Sequence, residues 1–454
     1  MSGPGLIIAA AASGSGKTTL TLALLRALRR NGIAVASFKV GPDYIDPAFH
    51  ARASGRPCIN LDSWAMRIET LAGLTDALTR DATLVIGEGV MGLFDGAADG
   101  HGSTADLASL FDLPVILVAD ARGMAASAAA LVEGFTRHRD DVEVAGVIFN
   151  HVGSETHAAL LRRACDDRFA QPVLGCLPHD PRLELPERHL GLIQADEVPA
   201  LDAFLDRAAA LVAEHVDLPR LRRLARPFGL GLYGPAAQPL RPLGQRIAVA
   251  RDVAFAFAYP AVLDGWRAAG AEIMFFSPLA DDPPAASATA VYLPGGYPEL
   301  HAGRLAANRA FLDGLRAAAD RGAFIYGECG GFMALGRSLV DRQGHGHAMA
   351  GLLPVTSSFA QPRLHLGYRR LRLLTPSPLG QPGTTYRGHE FHYARLLDTG
   401  DAPPLFDVTD THGQPLGPLG AQVGATAGSF LHLIDRATER VDEVARGGHL
   451  RVVD

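Results

Sequence analysis

Ala323-Phe-Ile-Tyr-Gly-Glu-Cys-Gly-Gly-Phe-Met-Ala-Leu335 decides how the rest of this sequence reads. Ala323 to Tyr326 is an apolar, β-prone run that stops at Gly327, and a helix-like run begins after Gly331. Cys329 therefore stands at the tip of a strand-to-helix turn, which the flanking glycines make sterically accessible. A side chain in such an elbow is forced up and out over the end of a sheet. The N-terminus of the following helix is expected to favour the thiolate over the thiol. A buried structural cysteine in a tight turn shares this local pattern. Weighing against it is Leu293-Pro-Gly-Gly-Tyr-Pro-Glu299, a second strand ending in a glycine pair. Backbone N–H groups of Gly295, Gly296 and Gly330 can together hold a tetrahedral oxyanion. A thiol nucleophile with an oxyanion hole hydrolyses an acyl group.

Around this elbow the C-terminal half alternates strand and helix. Strands are expected at 246–250, 272–276 and 291–293, with helices near 259–269 and ending at about Arg321. That alternation predicts an α/β domain. Past Leu364 the pattern changes to alternating strands, of which Tyr386-Arg-Gly-His-Glu-Phe-His-Tyr393 is the most polar. A final unit, Gly428-Ser-Phe-Leu-His-Leu-Ile-Asp435, then supplies a histidine after an apolar strand. A thiol nucleophile needs a base, usually histidine. His389, His392 and His432 are the candidates, and order along a chain with 17 histidines does not choose among them.

The N-terminal half carries a phosphate motif. Leu6-Ile-Ile-Ala-Ala-Ala-Ala12 reads as a fully buried parallel strand, and Ser13-Gly-Ser-Gly-Lys-Thr-Thr19 leads into an amphipathic helix. Strand, glycine loop and helix form the context of a P-loop, so Ser13, Gly14, Ser15, Gly16, Lys17, Thr18 and Thr19 are the expected ATP contacts. Loop N–H groups and the helix dipole bind phosphates, Lys17 reaches the outer ones and Thr18 can ligate Mg²⁺. The loop is a variant, because Ala11 stands where the motif begins with glycine.

Strands at 35–40, 83–88, 115–119 and 144–150 alternate with helices and predict a doubly wound, mostly parallel sheet. Ligands sit at the carboxyl ends of such strands, and there the unusual polar residues gather. One string is Lys39-Val-Gly-Pro-Asp-Tyr-Ile-Asp-Pro-Ala-Phe-His50; the other is Glu88-Gly-Val-Met-Gly-Leu-Phe-Asp-Gly96. Taken singly, Asp43, Asp46, Glu88 and Asp95 are turn or cap residues. Beside a P-loop they become candidates to hold Mg²⁺ or an acceptor, with Thr18, Asp43 and Glu88 the expected metal ligands. Lys39 can neutralise charge on a transferred phosphoryl group, and Tyr44 sets an aromatic ring among the carboxylates. Asn150 can read the adenine edge or cap a helix.

A chain of 454 residues is too long for a single core. Two domains are expected, at 1–216 and 246–454, joined by an Arg- and Pro-rich linker over 217–245. A net charge of −6 argues against a general nucleic-acid partner. Cys58, Cys165, Cys176 and Cys329 have no C-x-x-C spacing, which fits a reducing cytoplasm. No segment is long and apolar enough to cross a bilayer, so no membrane partner is expected.

Five strings together resemble the cobyrinate/hydrogenobyrinate a,c-diamide synthase family, and the likeness covers essentially the whole chain. They are Phe38-Lys-Val-Gly-Pro-Asp-Tyr-Ile-Asp46, Glu88 to Gly96, Gly295-Gly-Tyr-Pro-Glu299, Gly327-Glu-Cys-Gly-Gly331 and Gly388-His-Glu-Phe-His-Tyr393. The resemblance implies a dethiobiotin-synthetase-like ATP domain fused to a class I-type glutamine amidotransferase domain. It implies Cys329 as nucleophile and, from the Ser-[Tyr/Phe]-Leu-His pattern, His432 as its base. Many relatives have a second histidine where this chain has Ile434. The His-Pro-Glu of class I amidotransferases is absent, so no third member of the site is named.

The implied reaction uses ATP and Mg²⁺ to convert a substrate acetate to an acyl phosphate. Ammonia from L-glutamine displaces the phosphate, and the cycle repeats on a second acetate. Ammonia is largely protonated at neutral pH, so a protected path is expected. The implied acceptor is a corrinoid polycarboxylate; the Leu-Ile-Asp ending resembles the branch acting on hydrogenobyrinate. Lys39, Arg52, Arg56 and the segment Arg363 to Arg372 are the expected sources of positive charge for it. A homodimer is allowed for. Cobyric acid synthase shares the domain plan but lacks the Val-Gly-Pro-Asp-Tyr stretch, and CTP synthase carries a different cysteine motif. A partitioning-type ATPase switch that binds a protein partner would leave Cys329 and its glycines unexplained.

Overall fold

The computed structural model describes residues 3–166, 170–188, 191–229 and 239–437. Contacts divide the chain into two compact units: Met1–Trp64 with Leu71–Ala236, and Ala65–Thr70 with Ala237–Asp454. The expected linker begins as ordered structure of the first unit. Leu218–Leu224 is a helix capped by Asp217, and Arg226 bridges to Gly5. Residues 230–238 of that linker lie outside the described residues.

The first unit is built on a seven-stranded sheet in the order β3-β2-β4-β1-β5-β6-β7. The strands are β1 (Gly5–Ala10), β2 (Val35–Val40), β3 (Cys58–Leu61), β4 (Leu84–Glu88), β5 (Val115–Asp120), β6 (Val144–Val152) and β7 (Val173–Pro178). All pairings are parallel. β1 and β2 are buried along their whole length; β1 reads as an unbroken apolar run, while β2 carries Ser37 and Lys39 into the buried sheet. β1 stops at Ala10, short of the expected Ala12, and the chain enters its glycine loop. Gly14 and Gly16 there adopt φ of 78° and 81°, a region closed to most side chains. Helix α1 (Lys17–Arg30) follows. β1 lies between β4 and β5, so strand order reverses beside the loop and leaves a crevice at the carboxyl ends.

The second unit holds a six-stranded sheet, β9-β8-β10-β11-β17-β16, and a five-stranded one, β15-β14-β12-β13-β18. In the first, β8 is Arg246–Ala250, β9 Glu272–Phe276, β10 Ala290–Leu293, β11 Phe324–Glu328, β16 Ala421–Val423 and β17 Thr426–Ser429. Its pairings are parallel except that of β16 with β17. The second, all antiparallel, comprises β12 (His365–Leu373), β13 (Thr385–His392), β14 (Phe406–Thr409), β15 (Pro415–Leu419) and β18 (Leu431–Arg436). The stretch 428–435 is therefore not one strand. It breaks at Phe430, and β17 and β18 belong to different sheets. A core around Val291, Leu293, Ile325, Phe311 and Phe332 fixes the strand ends that carry Cys329. Among the described residues, no helix is long and apolar enough to cross a membrane.

Candidate functional site

The glycine loop and the ends of β2 and β4 converge in the first unit. Helix α1 opens at Gly16 with no side-chain cap and no acidic residue in its first turn. Its leading N–H groups, left without intrahelical partners, suit phosphate oxygens. Ser13 and Gly14 form the exposed loop tip, Gly14 with open space around it. Ser15 is buried and its hydroxyl donates to Ala12 O (2.8 Å). Thr19 is half-buried. Lys17 is turned onto Met91 O at 2.8 Å; burial, then Lys39, lowers its pKa to about 8.

At the centre stands Glu88, wholly buried. Its Oε1 accepts from Thr18 Oγ1 at 2.6 Å and from Lys39 Nζ at 2.7 Å. Lys39 Nζ also donates to Asp46 Oδ2 at 2.5 Å, and that oxygen lies 3.5 Å from Thr18 Oγ1. Burial disfavours charge on all three ionisable groups, but the outcomes differ. Asp46 and Glu88 outweigh the burial of Lys39 and hold it firmly protonated. Lys39 and His50 likewise keep Glu88 well below the usual carboxylate range. Asp46 is pushed up to about 6, by burial and by Asp43. Thr18 Oγ1, Glu88 Oε1 and Asp46 Oδ2 are hard oxygen donors at one place, a set that suits Mg²⁺.

The structure thus brings Asp46, where Asp43 was expected, beside Thr18 and Glu88. Asp43 Oδ1 accepts from the N–H groups of Ile45 and Asp46 (2.8 and 2.9 Å), fixing the entry to helix α2 (Asp46–Ser54). Asp95 is exposed and its carboxylate accepts from Gly92 N (2.9 Å), closing its own turn. Tyr44 is half-buried in the loop between β2 and α2. Asn150 Nδ2 donates to Ser15 O at 2.9 Å, so the amide braces the glycine loop. His50 was not singled out from the sequence, although it closes the string that begins at Lys39. Its Nε2 is 2.6 Å from Glu88 Oε2. Of the cations expected for a polyanion, Arg52 pairs with Asp202, Arg369 with Glu390 and Arg372 with Asp407.

In the second unit β11 delivers Glu328, and the chain turns at Cys329 with φ 48° and ψ −104°. A non-glycine residue held at positive φ costs about 1–3 kcal/mol and is tolerated where its surroundings over-determine it. The neighbouring glycines supply that constraint. A Cβ at Gly327 would lie 2.7 Å from the carbonyl carbon of Gly331, and one at Gly331 would strike Leu293 O. Cys329 is buried. Burial, with Glu299 adding to it, raises the thiol far above its usual pKa, while N–H groups of Gly330 and Gly296 pull the other way. The expected bias toward thiolate is therefore overturned: helix Gly330–Leu335 is only six residues long, and desolvation wins. A buried thiol of this kind needs a base beside it. Gly296 and Gly330 both aim their N–H groups at the sulfur. Gly295 O is taken by Phe257 N (2.9 Å).

Of the three candidate histidines, His432 is the one that meets the nucleophile. A methyl placed on Gly295 would lie 3.0 Å from His432 Nε2 and 3.3 Å from Cys329 Cβ, so both border one point. His389 faces His432 across β13 and β18. Burial, then His432, holds its pKa down to about 3. His392 has both nitrogens occupied, by Ala394 O (3.0 Å) and Glu390 Oε1 (2.9 Å), and its ring stacks on Phe430. His365, Glu390 and His392 place donor atoms within 4.8 Å of one another. Their two imidazoles lie parallel, 6° apart in plane, so their lone pairs cannot aim at one ion, and Arg369 already neutralises Glu390.

A P-loop unit and a cysteine–histidine unit with backbone oxyanion donors, carried on one chain, define an ATP-dependent glutamine amidotransferase. Residues 6–193 match the model of the CobQ/CobB/MinD/ParA nucleotide binding domain, and residues 246–439 that of the CobB/CobQ-like glutamine amidotransferase domain. Hydrogenobyrinate a,c-diamide synthase of a Sinorhizobium species is 54% identical over 433 residues, 95% of this chain and 99% of its own length. The Brucella anthropi enzyme of that name is 54% identical over 438 residues (96% and 99%), and that of Rhodobacter capsulatus 53% over 438 (95% and 98%). The chain belongs to the hydrogenobyrinate a,c-diamide synthase family.

Proposed function

We propose that this chain amidates the a and c acetate side chains of hydrogenobyrinic acid, using ATP, Mg²⁺ and ammonia drawn from L-glutamine. The observation that supports it most is the strained, buried Cys329 between two backbone donors and His432, in a chain 54% identical to a named hydrogenobyrinate a,c-diamide synthase over almost its full length. In the second unit, Cys329 Sγ attacks the glutamine carboxamide carbon while His432 takes its proton. The N–H groups of Gly296 and Gly330 hold the oxyanion. His432 returns the proton as the C–N bond breaks, ammonia leaves, and water clears the glutamyl thioester.

In the first unit, the glycine-loop N–H groups and Lys17 hold the phosphates, and Lys39 offsets negative charge as the γ-phosphoryl group moves to the acetate carboxylate. Ammonia then replaces phosphate at the acyl carbon. Mg²⁺, held by Thr18, Glu88 and Asp46, supplies further charge neutralisation on the phosphates when bound. Tyr44, Asp43 and Asp95 are proposed to border the acceptor. Cobyrinic acid, the cobalt-containing counterpart, is the alternative acceptor. Mass spectrometry of products from metal-free and cobalt-containing substrate, each with glutamine and ATP, separates them. Diamide from the metal-free macrocycle is expected; diamide from the cobalt form alone would overturn the choice. A cytoplasmic location and a homodimer belong to the same proposal, and light scattering tests the latter.

A further inference from the structure

We propose that Glu328, the residue preceding the nucleophile, is the carboxylate that positions His432, making the glutaminase site a Cys329–His432–Glu328 relay. This rests on the glutaminase reading of Cys329. Glu328 is 3% exposed at the end of β11. Its Oε2 lies 3.5 Å from His432 Nδ1, at the long edge of hydrogen-bond range, as catalytic contacts commonly are before substrate binds. The carboxylate itself is clamped. Oε2 accepts from Tyr292 OH at 2.8 Å, and Oε1 accepts from the N–H of Leu433, the residue after the histidine, at 3.1 Å. One side chain thus grips both the ring of His432 and the backbone beside it.

The two ring nitrogens are divided between two neighbours. Nδ1 faces Glu328, and Nε2 faces the point shared with Cys329. A carboxylate beside Nδ1 selects the tautomer with its proton there, leaving the Nε2 lone pair free to take the Sγ proton. When that proton arrives the ring becomes an imidazolium, and the Glu328 carboxylate beside Nδ1 stabilises its charge. The proton then leaves with ammonia. Glu328 touches neither glutamine nor sulfur in this scheme; it is a positioning residue.

Glu328→Gln separates this role from a merely structural one. The amide keeps the shape: its one oxygen can still accept from Leu433 N–H and its NH2 can donate to the Tyr292 hydroxyl oxygen, but the charge facing Nδ1 is gone. Expected is a fall in kcat for glutamine hydrolysis on the order of 10²-fold, with KM near wild type and ammonium-dependent synthesis and thermal midpoint retained. Tyr292→Phe takes away a structural hydrogen bond but keeps the carboxylate, and should cost less than about 10-fold in kcat. If Glu328→Gln does not fold, Glu328→Asp, charged but too short to reach Nδ1, carries the same test. Glutamine hydrolysis at wild-type kcat in the variant that folds overturns the proposal. So does a parallel fall in hydrolysis, ammonium-dependent synthesis and thermal midpoint. The underlying reading fails separately, if Cys329→Ala still hydrolyses glutamine.

Discussion

His50 Nε2 lies 2.6 Å from Glu88 Oε2, and neither side chain is exposed to solvent. The contact comes from behind the phosphate crevice. It holds the far oxygen of Glu88, so the near one is turned to Thr18 and Lys39. A buried carboxylate that loses one partner is left poorly compensated. His50→Ala should therefore cost about 3 kcal/mol of stability and most of the synthetase activity with either glutamine or ammonium. Glutamine hydrolysis should survive. Urea unfolding and the two assays check this; a variant as stable and active as wild type would leave His50 a space-filling residue.

Lys17→Ala and Glu88→Gln should abolish amide formation from both nitrogen sources, since activation of the carboxylate precedes either route. Hydrolysis of glutamine should continue, uncoupled or reduced. Amide made at near the wild-type rate removes the residue from the phosphate site.

Cys329→Ala should lose glutamine-dependent amidation and keep the ammonium-dependent reaction. Gly295→Ala tests the geometry around it. Its methyl would sit 2.5 Å from His432 Cε1, forcing the ring aside. Glutaminase activity should fall on the order of 10²-fold, again with ammonium-dependent synthesis intact. His432→Ala should match Cys329→Ala; if His389→Ala does so in its place, the base has been misassigned.

Acid should weaken the second unit. Burial and His432 depress His389 from 6.5 to about 3, so below about pH 6.5 the unfolded chain binds a proton that the folded one refuses. That contribution is fully present above pH 6.5 and is lost as pH falls toward 3, at up to about 1.4 kcal/mol per pH unit. Glu390 acts in the same direction lower down. Burial would raise it, but His392 and Arg369 hold it at about 2, so its contribution fades below its ordinary 4.5. His389→Phe should flatten the pH dependence of the urea midpoint between about pH 6.5 and 5. An unchanged slope would count against the buried neutral histidine.

Two similar acetates must reach one γ-phosphate in turn. Tyr44→Phe and Asp95→Asn should let mono-amide accumulate, because the second acceptor is held less well once the loop contacts change. Asp95→Asn keeps an oxygen for Gly92 N–H, so a purely turn-forming aspartate would give no such accumulation. Chromatography of time points decides between the two.

The elbow at Cys329, the glycine loop at Gly14–Thr19 and the parallel sheets were legible because each is local. A glycine forced to positive φ, a buried apolar run and a lysine at a helix start leave marks within a few adjacent residues. The same locality explains the misreadings. Asp43 and Asp46 are alike in sequence, and only the turn into α2 decides that one closes that turn and the other meets Lys39. The thiolate expected from a helix N-terminus gave way to desolvation, which depends on the whole shell around Cys329. That a histidine follows an apolar strand was legible in 428–435, but not that the break at Phe430 sends His432 into another sheet, opposite His389 and against Gly295. Glu328 stood in plain sight beside the nucleophile, but its partner is more than a hundred positions away. Composition and spacing determined which chemical groups this chain owns. Which of them share a desolvated space, where a charge a few ångströms off changes what a neighbour can do, was decided only when non-local strands paired.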